Sequence, residues 1–327
     1  MQKLKFLTAS LMLASVRALA SPISAIMYTA ADPFIKNYAD TLQSLANADK
    51  QDLALSFSQG DLKIENLNIQ KAFGAKSAAL ILNLVEPQRA LQVANLAYKN
   101  AKTPLIYINR KPSEQALKVY GNSWYVGADA SQAGNFQAEI LTEYCLKHHS
   151  DRNNDGKISY ILLEGEALLD DTVMRSMSVR AGFDTSPVSY EEIATISCNW
   201  KADKATYEIN QFIEKNGIEK IEAIVANNDT MALGALKALQ AVGYNQGDSH
   251  KYIPIVGVDG SAEALSAIKA GFMTGTVQND GKSQAETSYK IAKLILAGKE
   301  VNSKNLGRFI DNHNCVYIPY LKISSVK

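Results

Sequence analysis

The chain has few of the residues on which most enzymes and stapled scaffolds depend. It carries three cysteines, four histidines, two tryptophans and eight prolines in 327 residues. Cys145, Cys198 and Cys315 are odd in number, widely spaced and set in separate apolar contexts, which argues against a disulfide framework and against a zinc site. The adjacent His148 and His149 read as solvated residues at a helix end. There is no nucleophile elbow, phosphate loop or zinc motif. No apolar stretch reaches the ~18 residues that a membrane span needs. Neither sign of charge prevails, with 34 Lys and Arg against 33 Asp and Glu. A near-neutral chain argues against nucleic acid as a partner.

What is present begins at the first residue. Lys3 and Lys5 precede an apolar run from Phe6 to Val16, and Ala18-Leu19-Ala20 stands ahead of Ser21. This pattern reads as a secretory signal peptide over residues 1–20. Cleavage after Ala20 removes Lys3, Lys5 and Arg17, leaving 31 basic against 33 acidic residues, a formal charge of −2. No cysteine near the cleavage site can take a lipid, so a soluble, periplasmic protein is expected.

With 46% hydrophobic residues, the chain can bury one large core or two of ordinary size. From Pro22 onward short apolar runs alternate with longer amphipathic segments, the pattern of β-α-β units on a parallel sheet. Strands are expected at Ile23 to Tyr28, Leu53 to Phe57, Ala78 to Val85, Leu105 to Ile108 and Tyr125-Val126. A second series follows at Tyr160 to Leu163, Glu192 to Ser197, Glu222 to Ala226, Ile253 to Val258 and Met273 to Val277. Two short strands, Arg308 to Ile310 and Val316 to Ile318, are left over. So many units exceed one core, and the expected fold is α/β, two similar doubly wound parallel-sheet lobes.

Open parallel sheets bind ligands beyond the carboxyl ends of their strands. Those places hold Asp32 and Phe34, Asn109, Asp171 with Arg175, Asn228 in Asn227-Asn228-Asp229, Asp259 and Asn279. Asp32, Asp171 and Asp229 could each be a helix cap. Six polar strand ends together point instead to a ligand. Asp accepts, Arg donates and Asn does both, which suits hydroxyl groups and hence a sugar. Phe34 and Trp200 offer faces for its CH groups, although Trp200 could equally pack in a core.

One further stretch, Asp151-Arg152-Asn153-Asn154-Asp155-Gly156-Lys157-Ile158-Ser159, sets oxygens at alternate positions and a glycine at the sixth. That is the spacing of a calcium loop, with Asp151, Asn153, Asp155, the Lys157 carbonyl and the Ser159 hydroxyl as ligands. The twelfth position, where a calcium hand has a bidentate Glu, is Leu162. Either the loop is a polar turn or a carboxylate from elsewhere completes it.

This loop, together with Val225-Ala226-Asn227-Asn228-Asp229-Thr230-Met231-Ala232, Val256-Gly257-Val258-Asp259 and Gly275-Thr276-Val277-Gln278-Asn279-Asp280, resembles the galactose/glucose-binding branch of the type I periplasmic binding proteins. The likeness runs from about Ile23 to Tyr320. It implies a soluble, monomeric, non-catalytic protein that closes on a monosaccharide and delivers it to the membrane permease of an ABC importer, and in some bacteria to a chemoreceptor. It implies sugar contacts at Asp32, Phe34, Asn109, Asp171, Arg175, Trp200, Asn228, Asp259 and Asn279, with Phe34 and Trp200 as the paired rings. Structural calcium is implied too, its missing ligand being Glu222. The lobes are expected at 21–127 with 279–311 and at 128–278 with 312–327. The crossings of the hinge would lie near Val126 to Ala128, Val277 to Asn279 and Ile310 to Asn314. One position departs from the family: a His two residues before Asp171 is here Leu169, which cannot donate a hydrogen bond, and this bears on the choice of sugar.

Three rivals remain. Asp32, Asp171 and Asp259 could serve a sugar-hydrolysing enzyme, but Arg175, one helical turn from Asp171, is expected to hold that acid ionised. A sugar-responsive transcription regulator would need an N-terminal helix-turn-helix where this chain has its signal peptide. A sensor that reports sugar without feeding an importer has the same sequence signature as a transport protein.

Overall fold

The computed structural model describes residues 22–325 apart from residues 101 and 149. The expected signal peptide lies outside the described residues. The first six-stranded sheet contains β1 (Ile23–Met27), β2 (Leu53–Phe57), β3 (Ala79–Leu82), β4 (Leu105–Ile108), β5 (Ser123–Gly127) and β11 (Cys315–Tyr317), in the order β11-β5-β4-β3-β1-β2. All its pairings are parallel. The second contains β6 (Ile158–Glu164), β7 (Tyr190–Ser197), β8 (Ala223–Ala226), β9 (Ile255–Asp259), β10 (Gly275–Gln278) and β12 (Leu321–Ser324), in the order β12-β10-β9-β8-β6-β7. It is parallel except for β12, which runs antiparallel to β10.

The period-two geometry of a strand sorts the apolar runs onto two faces. In β3, Ala79 and Ile81 join one core with Ile35 and Tyr38 of the helix Pro33–Asp49. Leu80 and Leu82 join another with Val93 and Ala97 of the helix Ala90–Asn100. In β8, Ile224 and Ala226 face one helical layer while Ala223 and Val225 face the other. Each sheet is therefore covered on both sides, which is why its strands read as continuous apolar runs.

The chain enters the first sheet four times as β-α units, and its last stretch departs from expectation. Arg308 to Ile310 forms no strand. Cys315–Tyr317 pairs with β5 in the first sheet, so the third crossing lies between Tyr317 and Leu321, not at Ile310 to Asn314. The cause is a turn in which the Asp311 carboxylate accepts the His313 and Cys315 amides and sends Val316 and Ile318 into the first core. Residues 312–317 thus belong with the first lobe. The first two crossings follow Gly127 and Gln278. The sequence reading also passed over the helix Glu114–Tyr120, capped by Ser113 and ended by Gly121 at φ 70°.

Candidate functional site

Asp32, Phe34, Asn109, Asp171, Arg175, Trp200, Asn228 and Asp259 line one cavity between the lobes, together with Arg110 and Leu169. The cavity holds about 370 Å³ of empty space, part of it open to solvent. Eight of the nine expected sugar residues are therefore brought together from six separate strand ends. Asn279 stands apart: it is buried, its Oδ1 accepts from Gln284 Nε2 at 2.6 Å, and it lines an adjoining cleft that shares Phe34 and Asp259 with the first.

Both rings rest on glycines. A methyl group built on Gly281 would lie 2.9 Å from Phe34 Cε2, and one built on Gly165 would lie 2.1 Å from Trp200 Cζ2. No other residue leaves room for a ring so close to the backbone. Trp200 itself sits at φ 66°, after Asn199 at φ 51°. Asn109 (φ 57°) and Asp259 (φ 124°) share this left-handed region. Non-glycine residues there carry strain of about 1–3 kcal/mol each, and such strain clusters at ligand-binding sites.

The polar groups are held from behind. Asp32 caps the helix Pro33–Asp49, its Oδ1 accepting the Phe34 amide at 2.9 Å while Oδ2 accepts the Tyr28 hydroxyl at 2.7 Å. Asn228 caps the helix Asp229–Ala241 through the Met231 amide. Capping and cavity lining are therefore compatible roles, and the cap orients the side chain. Asp171 is no cap; it lies in the first turn of the helix Asp170–Asp184, whose cap position is Leu169. Nor is Asp229, which is buried behind the cavity and accepts the Ser261 amide at 2.7 Å and the Thr276 hydroxyl at 2.6 Å. Asn109 Oδ1 accepts from Asn83 Nδ2 at 3.1 Å.

Arg175 is buried, and it donates to the Asn227 carbonyl at 2.6 Å, to Tyr320 Oη at 3.0 Å and to Asp171 Oδ1 at 3.3 Å. Its Nε is a charged donor without a partner among the described residues. Its guanidinium lies 5.9 Å from the Trp200 ring centre. Burial opposes the Arg175 charge, and Tyr320, Asp171 and Asp259 outweigh it, so its pKa is raised. Burial also raises the pKa of Asp171, against the pull of Arg175. Arg175, expected to set the Asp171 pKa, thus lowers it by less than removal from water raises it. Asp259 is raised well above the usual carboxylate range, again by burial first and against Arg175.

Arg110 escaped the sequence reading. It follows β4 immediately after Asn109, and its guanidinium lies 3.7 Å from the Tyr28 ring centre. Its position at a strand end is the signal for it in the sequence.

The Asp151 to Ser159 loop is a set of interlocked turns. Asp151 accepts the Asp155 and Gly156 amides, Asn153 Oδ1 accepts the Asp155 amide, and Asp155 Oδ1 accepts the Lys157 amide. The wholly buried Glu222 carboxylate reaches both ends of the loop, accepting the Arg152 amide at 2.6 Å, the Asn153 amide at 3.2 Å and the Ser159 amide at 2.8 Å. Every candidate donor is oxygen, the chemistry a hard cation requires. Among the described residues no three His, Cys, Asp or Glu side chains gather around one point; the loop's carboxylates face backbone amides.

A two-lobed α/β architecture with its polar, ring-flanked cavity at the strand ends between the lobes defines a solute-binding protein. The family of the Periplasmic binding protein domain matches residues 23–300, and the chain belongs to that family as a type I periplasmic sugar-binding protein. It is 30% identical to the D-galactose/methyl-galactoside binding periplasmic protein MglB of Haemophilus influenzae, across 83% of this chain and 79% of that one. It is 26% identical to the ribose import binding protein RbsB of the same organism, across 93% and 97%. In fold it is similar to a solute-binding protein of Bacillus halodurans solved with myo-inositol, with a TM-score of 0.76, 22% identity and 94% and 96% coverage. It is similarly close to one of Actinobacillus succinogenes solved with D-allose, with a TM-score of 0.78, 21% identity and 93% and 97% coverage. These relatives are solute-binding proteins of importers, not enzymes, in line with the non-catalytic reading. None of the described helices is long and apolar enough to cross a membrane.

Proposed function

We propose that the exported, monomeric protein captures a hexose, glucose or galactose, in the cavity between its lobes and presents the closed form to an importer's permease. The observation that carries this is the pairing of Phe34 and Trp200, one from each lobe and each seated on a glycine, around a cavity otherwise lined almost wholly by hydrogen-bonding side chains. Rings cover CH faces, and buried polar groups fix hydroxyls because one left unpaired costs about 1–3 kcal/mol. Closure follows from a ligand that touches both lobes and so binds the shut form better.

The Asp151, Asn153, Asp155, Lys157, Ser159 and Glu222 oxygens would hold one Ca²⁺ as a clamp within the second lobe. Glu222 supports this by joining the loop to β8 from inside the fold. Leu169, the one aliphatic side chain on the cavity wall, favours a second reading in which another monosaccharide is preferred. Calorimetric titration with D-glucose, D-galactose, D-allose, D-ribose and myo-inositol distinguishes the two: the hexose reading expects glucose or galactose to release the most heat at the lowest concentration, and saturation by a pentose or cyclitol alone would displace it.

A further inference from the structure

Arg110 and Glu166 form an ion pair that spans the two lobes. Arg110 follows β4 of the first, Glu166 follows β6 of the second, and Nη2 donates to Oε1 at 2.9 Å. Other pairs, such as Arg89–Glu65 and Lys293–Asp49 in the first lobe and Arg180–Glu192 and Lys322–Glu139 in the second, join groups of a single lobe.

The two partners are unequally fixed. Arg110, with 4% of its side chain exposed, is held from the first lobe alone: it donates to the Val85 carbonyl and lies over the Tyr28 ring. Val85 is in turn anchored by its amide on Glu65 at 2.6 Å, a wholly buried acid. Glu166, with 40% of its side chain exposed, arrives from the second lobe. The Tyr28 hydroxyl donates to Asp32 Oδ2. A continuous path therefore runs from Glu166 through Arg110 and Tyr28 to a carboxylate on the cavity wall, while Glu166 itself lies off that wall.

We propose that Glu166 is a positioning residue for the bound sugar. Closure delivers its carboxylate to the waiting Arg110, and the Arg110–Tyr28 stack then holds Asp32 as the shut cavity presents it. This rests on the sugar-capture reading. Opening must break the pair, so it acts on release and leaves encounter with the open form unaffected. A partly exposed pair is worth little more than a severalfold change and is weakened by salt.

The test is stopped-flow release of D-galactose or D-glucose, whichever the parent binds, from the parent, Glu166→Gln and Glu166→Asp. Glu166→Gln is expected to release sugar about two- to fivefold faster, with a smaller change in association that follows the larger open fraction of the sugar-free variant, and Glu166→Asp to recover part of the difference. Tenfold more NaCl should speed release from the parent more than from Glu166→Gln. Equal release rates, or a change confined to association, would overturn the proposal. If neither sugar binds the parent, the capture reading fails by itself, and small-angle scattering of the sugar-free proteins decides the pair: a parent more compact than Glu166→Gln supports it, and equal radii refute it.

Discussion

Gly165 lies directly beneath Trp200, so close that any Cβ there would sit 2.1 Å from the indole. The ring cannot keep its place over a side chain of any size. Gly165→Ala is therefore expected to displace Trp200 and weaken sugar binding by tenfold or more, because contact with the ring needs van der Waals distance. Gly165 is also tied in by its amide on Asn227 Oδ1 at 3.2 Å, so stability should be measured beside affinity. Tight binding by Gly165→Ala would show that the ring is not a sugar platform.

Leu169 is buried and forms part of the cavity wall. A hydroxyl pressed against it goes unpaired, at about 1–3 kcal/mol. Leu169→His restores a donor and acceptor and is expected to tighten binding of one hexose severalfold while changing others less. Calorimetry against the same sugar panel reads the outcome, and an unaltered order of preference would remove Leu169 from the specificity determinants.

Glu222→Gln separates the calcium clamp from a hydrogen-bonded turn. Ligand that binds the folded form alone stabilises it in proportion to its excess over the dissociation constant. Added Ca²⁺ is expected to raise the Tm of the parent by several degrees and that of Glu222→Gln by far less, whereas in chelator the two should differ only by the lost amide hydrogen bonds. Equal losses in both media would mean that Glu222 serves the backbone amides alone.

Burial pushes the Asp229 pKa up to about 6, against hydrogen bonds from Thr276 and Ser261. A carboxyl that is harder to ionise when folded stabilises the fold below its ordinary pKa of 3.8 and loses that contribution as pH rises through about 6. Asp229→Asn should therefore flatten the dependence of stability on pH between about 4 and 6, while Asp259, Asp171 and Glu65, raised in the same direction by burial, contribute slope of the same sign. Urea unfolding across that range gives the answer; parallel curves for parent and variant would contradict the assignment.

The parts of this molecule that were legible in the sequence are those governed by local pattern. Continuous apolar runs flanked by Asp and Asn marked the central strands, and eight of the nine residues expected at the site line one cavity because open parallel sheets bring such strand ends together. What escaped depends on contacts made far along the chain. Cys315–Tyr317 and Leu321–Ser324 are short edge strands that join different sheets, and nothing in their composition names the neighbour. Gly165 and Gly281 look like ordinary turn glycines until a ring is placed over them. Burial raised Asp171 where its sequence neighbour Arg175 suggested otherwise, because desolvation is a property of the assembled lobes.

The central claim is that the cavity captures a hexose, and titration with D-galactose and D-glucose followed by both heat and tryptophan fluorescence tests it most directly. Trp124 is buried in the first core, whereas Trp200 lines the cavity. Saturable heat with a fluorescence change that vanishes in Trp200→Phe and persists in Trp124→Phe is the predicted result. No heat from either sugar at millimolar concentration, or a fluorescence change that survives Trp200→Phe, would contradict it.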